Sequence, residues 1–116
     1  MLVQRLETAD GTVVCAHCAV ADRWWLRMRG LLGRSRLEPD EGMLLRPAGS
    51  IHMAFMRFAI DAVFCDRELV VIDVVQGLKP WRAAGRRRAK VVIELADGAA
   101  AGVQPGDHLR LATIEP

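Results

Sequence analysis

The fold of this chain depends on residues 50–66, which read SIHMAFMRFAIDAVFCD. Apolar side chains fill most of both alternating faces of this stretch, and His52, Arg57 and Asp61 interrupt them. A strand that is apolar on both faces is typical of a sheet that is covered from both sides. We therefore expect this segment to run through the core, with the rest of the chain packed around it.

Shorter strands are expected on either side of this segment. Asp10 and Gly11 are typical of a hairpin turn, here between strands at 2–7 and 12–20. Turn residues also separate strands that are predicted at 43–46, 69–75, 91–95 and 108–114, whereas residues 77–90 are predicted to form a loop. The pattern therefore predicts about seven strands in all.

One helix is predicted after the first hairpin. Asp22 can cap its first turn, and Gly33 can end it. Between them, Trp25, Met28 and Leu32 recur at helical spacing. Short strands with one packed helix predict an α+β fold that is mainly β.

Composition limits the size and the location of the protein. The chain has 116 residues, 52% of them hydrophobic, so one domain over residues 1–116 is expected. No signal peptide is recognised, and apolar runs such as 69–75 are much shorter than a membrane helix. Three cysteines favour reduced thiols, and a net charge of +2 gives little attraction to nucleic acid or membranes. We expect a soluble, cytoplasmic monomer or weak homodimer.

Several short motifs follow one another in a recognisable order. They read RGLLGR at 29–34, EGMLL at 41–45, SIHM at 50–53, FAID at 58–61 and VF at 63–64. Downstream, the pattern continues with VV at 70–71, PW at 80–81, VIEL at 92–95, Gly98 and GD at 106–107. In order and spacing, residues 20 to 110 resemble the DUF192 family. The resemblance implies a partly closed barrel of mixed strands with a packed helix, and no established biochemical activity.

Two acids within apolar stretches form the first candidate site. Asp61 lies inside AIDAV at 59–63 and Glu94 inside VVIEL at 91–95, where an unpaired charge is costly. Each is expected to meet a cation or several backbone N–H donors. With His52 they are predicted to border a ligand pocket walled by Trp81 or Trp25, or to carry out acid–base chemistry. The alternative is a purely structural set of buried ion pairs.

A structural polar network is predicted beside this pocket. Arg29 lies beside the apolar stripe of the expected helix, where an arginine needs a carboxylate partner. It is expected to meet Asp61, Glu94 or Asp107 across the core. Arg57 is assigned to the same network because it also interrupts an apolar stretch.

Metal and cofactor binding are not expected. Cys15 and Cys18 form half of a zinc motif, and on a regular strand their sulfurs would point to opposite faces. Met43, Met53 and Met56 could suit Cu(I), but methionines in apolar strands usually fill a core. No glycine-rich phosphate loop and no nucleophile motif is present in the sequence. We therefore predict reduced thiols, no bound metal and no cofactor.

A basic segment follows Trp81, with five cations between residues 82 and 90. Basic residues beside an aromatic ring can hold phosphates and stack a base. A solvated loop needs no such role, and no nucleic-acid-binding motif accompanies the segment. We expect this loop to be mobile and dispensable for folding.

The candidate residues favour one function over two others. The favoured hypothesis is a small binding or accessory module that takes a small molecule or a protein partner in the pocket near His52, Asp61 and Glu94. The alternative is a small enzyme that uses the same residues in acid–base or metal chemistry, although no catalytic residue is assigned. Nucleic-acid binding through the basic loop is the third and least favoured hypothesis.

Overall fold

The computed structural model describes residues 2–23, 31 and 34–114. The regular structure of these residues consists of nine strands, and no helix occurs among them. The expected α+β class with one packed helix is therefore wrong, and the described part of the chain is all-β. The helix predicted after Asp22 falls on residues 24–33, of which only Leu31 is described. Within the described residues, no helix is long and apolar enough to cross a membrane.

Most of the strands form one large sheet. In chain order they are β1 (Leu2–Thr8), β2 (Val13–Ala21), β3 (Glu41–Leu45), β4 (Ser50–His52), β5 (Ile60–Cys65), β6 (Val71–Leu78), β7 (Ala83–Gly85), β8 (Val91–Ala96) and β9 (Leu109–Ala112). Seven of them follow the order β6-β5-β8-β3-β2-β1-β9, and β4 pairs with β7 in a separate ribbon. β2 and β3 run parallel, which requires a long crossover, and residues 22–40 supply it.

The large sheet curves into a half-barrel. Its edge strands approach each other at one end, where Val70 bridges to His108 and the Leu109 N–H donates to the Leu69 carbonyl at 3.0 Å. Twisted sheets of this size curl readily, and joining the two edges hides unpaired backbone groups. The partly closed barrel of mixed strands is therefore present, without the packed helix among the described residues.

Residues 50–66 do not form a single strand. β4 ends at His52, and β5 begins at Ile60 after an irregular segment. Every residue of β5 is buried, whereas Ser50 and His52 are exposed. The apolar side chains between the two strands are partly core residues as well, since Met53 and Met56 are buried. The sequence pattern therefore predicts the burial of residues 60–65 correctly, but not the break between the two strands or the exposure of Phe55.

The basic segment is more ordered than expected. β7 lies inside the loop predicted at 77–90, and its Ala83 and Gly85 pair with β4. Arg86 then anchors the chain, because its Nε donates to Asp73 Oδ2 at 2.7 Å and its guanidinium lies 5.3 Å from the Phe64 ring centroid. The expectation that residues 77–90 form a loop throughout is therefore wrong at 83–85, whereas the mobility of the segment and its role in folding stay predictions.

The central strands β5 and β8 are covered on both faces. One face carries Val63, Ile93 and Leu95, which belong to the largest apolar cluster. The other face carries Phe64 and Val92, against which the β4–β7 ribbon packs. This two-sided burial explains why both strands read as continuous apolar runs.

Candidate functional site

Asp61 and Glu94 lie on neighbouring strands but point to opposite faces of the sheet. Asp61 pairs with Leu95, and Glu94 pairs with Ala62. Residues directly opposite each other share a face, and successive residues of a strand alternate between faces. The structure therefore does not bring these two carboxyls together, and a ligand role for either remains a prediction.

Asp61 is fully buried and its carboxylate is saturated by backbone donors. Oδ1 accepts from the Gly77 N–H at 2.9 Å, and Oδ2 accepts from the N–H groups of Gly98 at 3.0 Å and Ala100 at 2.9 Å. Gly77 has a positive φ of 64°, so the β6 backbone departs there from regular strand geometry and turns its N–H toward the acid. The expectation of several backbone donors is confirmed, and Asp61 ties β6 to the turn at 97–102.

Glu94 is in a different position. Its side chain is 6% exposed, and its Oε1 has no hydrogen-bond partner among the residues that the structure describes. It stands between Met43 of β3 and Ala62 of β5, which share its face. Burial in this apolar setting raises the pKa of the Glu94 carboxyl to about 7. Arg29, the cation predicted to meet it, lies outside the described residues.

The other predicted site residues that the structure describes are exposed or partly exposed. His52 is exposed on β4, and Arg57 is exposed in the segment before β5. Asp107 accepts the Gln104 N–H at 2.9 Å and so closes the turn before β9. A depression of about 420 Å³ includes Asp107 but none of the predicted pocket residues His52, Asp61, Glu94 or Trp81.

The residues considered above as possible metal ligands are buried in the core. Met43, Met53 and Met56 are buried in one apolar cluster. Cys15 and Cys18 are free thiols in the largest cluster. Within the described ranges, no group of three or more His, Cys, Asp and Glu residues could hold a metal ion.

An exposed aromatic pair stands out on the surface. Phe55 is 73% exposed and Trp81 is 66% exposed, and their ring centroids lie 4.9 Å apart at an angle of 60°. Tilted aromatic pairs at this separation attract each other, but the two rings leave most of their area in water. Large exposed apolar groups in contact with each other usually mark a binding surface.

Both aromatic residues have backbone conformations that side chains rarely adopt. Phe55 has φ 65° and Trp81 has φ 68°, which costs on the order of 1 to 3 kcal/mol for each. Hydrogen bonds hold the two segments together, since the Trp81 N–H donates to the Met53 carbonyl at 2.8 Å and the Met53 N–H donates to the Arg82 carbonyl at 2.7 Å. The buried Met53 side chain anchors them to the core. Strain that is maintained in this way is common where a surface binds a ligand.

The exposed charges nearest to this pair along the chain are of one sign. Arg57, Lys79 and Arg82 are exposed and lie within two residues of Phe55 or Trp81 along the chain. The sequence contains no Asp or Glu at 46–60 or at 74–93. Arg87 and Arg88, at the other end of the β4–β7 ribbon, are also exposed. This aromatic face, which comprises Phe55, Trp81 and the outer side of the ribbon, is therefore cationic.

The sequence pattern identifies only one residue of this aromatic pair, Trp81. Trp81 was predicted as the wall of a pocket, whereas Phe55 belongs to an apolar run that predicts a core strand. Neither residue type signals a positive φ, which sequence patterns associate with Gly and Asn. The sequence does contain one signal for this surface, which is that the segments on either side of both aromatic residues contain no Asp or Glu.

Comparison with known proteins settles the family. The model of DUF192, described as an uncharacterized ACR, matches residues 5–111. The chain belongs to the DUF192 family. A UPF0127 protein of Pyrococcus furiosus, from the same family, is 41% identical over 113 residues, covering 90% of this chain and 94% of the relative. A second UPF0127 protein, from Thermococcus sibiricus, is 31% identical over 80% of this chain, which spans 63% of that relative.

Solved structures share the fold of this DUF192 chain. A protein of Sinorhizobium meliloti, described as a candidate transcription regulator, matches with a TM-score of 0.80 and 25% identity, covering 94% of this chain and 92% of that one. A protein of unknown function from Novosphingobium aromaticivorans matches with a TM-score of 0.79 and 21% identity, over 94% of this chain and 84% of that one. The second similarity shows the fold alone.

Proposed function

We propose that this DUF192 chain is a binding module whose aromatic face recognises single-stranded nucleic acid. The observation that carries the proposal is the exposed Phe55–Trp81 pair, held in strained backbone on two segments, 46–60 and 74–93, that contain basic residues and no Asp or Glu. Proteins that bind single strands combine aromatic rings, on which bases stack, with cations that follow the phosphates. Both elements occur together here.

The basic residues near the rings favour single-stranded nucleic acid over other ligands that bind to aromatic side chains. A sugar or an uncharged apolar peptide would use the two rings but would gain nothing from Arg57, Lys79 and Arg82. A single strand uses both, because each nucleotide carries a flat base and a phosphate. The low net charge of +2 counts against binding by the whole molecular surface, so a local patch must supply the attraction.

The ribbon itself offers room beside the rings. Its exposed residues are His52 and the small Ser50, Ala83 and Gly85, while Ile51 and Ala84 pack inward. A nucleotide chain could therefore lie along the ribbon, from the aromatic pair toward the exposed Arg87 and Arg88. The S. meliloti relative is described as a candidate transcription regulator, a description in keeping with a nucleic-acid ligand.

The other two hypotheses receive less support. A shared pocket of His52, Asp61 and Glu94 would need the two acids on one face, and strand pairing places them on opposite faces. The enzyme hypothesis uses the same three residues and has the same difficulty. The aromatic face therefore supports nucleic-acid binding, which was the least favoured hypothesis from the sequence.

Asparagine variants at the two strained positions test the proposal. Trp81→Asn and Phe55→Asn remove the rings, while asparagine tolerates a left-handed backbone better than either aromatic. Each variant should keep its melting temperature and should bind a labelled oligothymidylate of about 12 nucleotides about tenfold more weakly, as measured by fluorescence anisotropy. Raising salt from about 50 to about 200 mM should weaken wild-type binding on the order of tenfold.

The control variant is Arg67→Ser. Arg67 is exposed in the turn between β5 and β6, at the opposite end of that hairpin from Lys79, so its removal should leave affinity within about twofold. A mononucleotide tested in parallel should bind far more weakly than the oligonucleotide, because it engages fewer cations. No binding at low salt, or equal binding by wild type and Trp81→Asn, would refute the proposal.

A further inference from the structure

Each ring of the Phe55–Trp81 pair is carried by the third residue of a tight turn. Residues 53–56 form the first turn, which is closed because the N–H of its last residue donates to the carbonyl of its first at 3.1 Å. Residues 79–82 form the second turn and are closed in the same way at 3.2 Å. The third position has φ 65° in one turn and 68° in the other, a conformation in which glycine is usual. Two turns that would ordinarily carry glycine at this position therefore display an aromatic ring instead.

The backbone fixes these two turns against each other. The Met53 carbonyl closes its own turn and also accepts the Trp81 N–H at 2.8 Å, and the Met53 N–H donates to the Arg82 carbonyl at 2.7 Å. Met53 is fully buried and Met56 is 8% exposed, so the first turn is anchored to the core. Pro80 restricts the backbone at the second position of the other turn, a position that suits proline. The positions from which the two rings project are therefore set by the fold.

The angle between the rings limits what they can bind together. Their centroids are 4.9 Å apart, and their planes are inclined at 60°. A base that lies flat on one ring is therefore inclined at a similar angle to a base that lies flat on the other. Neighbouring bases of a stacked strand are parallel, so a stacked pair can use only one of the two rings. Both rings are used only by consecutive bases that are not stacked on each other.

We infer that the aromatic pair is a site for two consecutive pyrimidine nucleotides held apart from each other, an inference that rests on the proposed function. Every base has a flat face, so the rings alone do not distinguish one base from another. The difference lies in the free strand. Adenines have two fused rings and stack on one another more strongly than thymines or uracils do, and a strand must give up that stacking before its bases can occupy both rings. Runs of pyrimidines give up less and should therefore bind more tightly.

The charged groups near the rings agree with this ligand. Arg57, Lys79 and Arg82 are exposed and can donate hydrogen bonds but cannot accept them. No Asp or Glu occurs at 46–60 or at 74–93 to accept from the amino group of adenine. Thymine and uracil present carbonyl oxygens, which these cations can contact in addition to the phosphates. A strand rich in thymidine or uridine is therefore the expected ligand.

The first test compares oligothymidylate with oligoadenylate, each of about 12 nucleotides, by fluorescence anisotropy at low salt. We expect wild type to bind the thymidylate about fivefold more tightly. Phe55→Asn should lose this preference to within about twofold, because a single ring does not require two bases to separate. Arg67→Ser is the control and should keep the preference, since Arg67 lies in the turn between β5 and β6.

A second test uses wild type alone and two strands of identical composition. Both are oligoadenylates that contain two thymidylates, adjacent in one strand and separated by several adenylates in the other. The strand with adjacent thymidylates should bind about threefold more tightly, because only there can two weakly stacked bases contact both rings.

The possible failures of these tests are distinguishable from a failure of the proposed function. Equal binding of the two composition-matched strands, binding of oligoadenylate as tight as that of oligothymidylate, or a preference that persists in Phe55→Asn would overturn the inference and leave the proposed function in place. Failure of every strand to bind at low salt would overturn both.

Discussion

Two buried carboxyls of the described residues, those of Asp61 and Glu94, lie one pairing position apart on adjacent strands and have opposite environments. Asp61 faces irregular backbone at Gly77 and at 98–100, whose N–H groups are not used by the sheet and bond to the acid. Glu94 faces regular strands, where N–H groups belong to the ladder and the neighbours are Met43 and Ala62. The comparison shows that whether a buried acid is hydrogen-bonded depends on the backbone that it faces and not on burial alone.

The largest expected effect is on the Asp61 side. Asp61→Ala leaves three backbone N–H groups without their acceptor, including that of the buried Ala100, and each such loss costs about 1 to 3 kcal/mol where water does not replace the carboxylate. We expect the free energy of unfolding, measured by urea denaturation at neutral pH, to fall by about 4 kcal/mol or more. Asp61→Asn retains one acceptor oxygen and should lose about half as much. A loss below about 1 kcal/mol would show that water or other groups replace the carboxylate.

The next largest effect concerns Glu94. Removing its carboxylate should raise the stability of the protein at neutral pH, whereas removing that of Asp61 lowers it. The pKa of Glu94 is about 7 in the folded protein, against an ordinary value of 4.5, so the folded state binds the proton more tightly. Stability should therefore be highest below the unfolded pKa and should decline as pH rises through the folded pKa, by about 3 kcal/mol in all. Glu94→Gln should match wild type near pH 4.5 and exceed it above pH 7.

Denaturation curves of both proteins at several pH values measure this difference. A Glu94→Gln variant that is less stable than wild type at neutral pH would contradict the prediction. That result would indicate a cation beside the carboxylate, and it would support the predicted pairing with Arg29, because removing one partner of a buried ion pair is strongly destabilising. The same experiment thus tests both expectations for Glu94.

A smaller effect is expected from the backbone conformation of Gly77, whose N–H donates to Asp61. Gly77 has φ 64° where its N–H meets Asp61, so Gly77→Ala should cost about 1 kcal/mol through strain while keeping the hydrogen bond. Gly102→Ala is the control, because a Cβ there meets open space. Thermal unfolding should show a lower melting temperature for Gly77→Ala only. Equal values for both variants would show that the left-handed turn is not needed.

The smallest effect concerns the cations near the Glu94 face. Arg86 bonds to Asp73 and lies over Phe64, which shares that face, so Arg86→Ser should cost up to about 1 kcal/mol. Arg88 is exposed, and Arg88→Ser should change stability by less than about 0.5 kcal/mol. If urea denaturation gives the same free energy of unfolding for Arg86→Ser and Arg88→Ser, the Arg86 contacts do not stabilise the fold. That result would agree with the expectation that the basic segment is dispensable for folding.

The candidate site was predictable only in part. Asp61 and Glu94 could be recognised as buried acids, because each stands alone in an apolar stretch. Their opposite faces could not, because that relation depends on which residue of β8 stands across from each residue of β5. The prediction that the sulfurs of Cys15 and Cys18 point to opposite faces is wrong for a related reason. Cys15 pairs with Leu6 and Cys18 with Gln4, so a bulge between the two cysteines puts them on one face, because one extra residue reverses the face of every side chain beyond it.

The amino-acid sequence by itself determined the family, the β-rich core, the first hairpin and the burial of residues 60–65, since hydrophobic pattern and turn residues act locally. Only the tertiary structure decided that residues 50–66 break into two strands, that β7 completes a ribbon, and that Phe55 joins Trp81 at the surface. These outcomes depend on strand register and on positive φ values at non-glycine residues, which distant packing imposes and which no local pattern records.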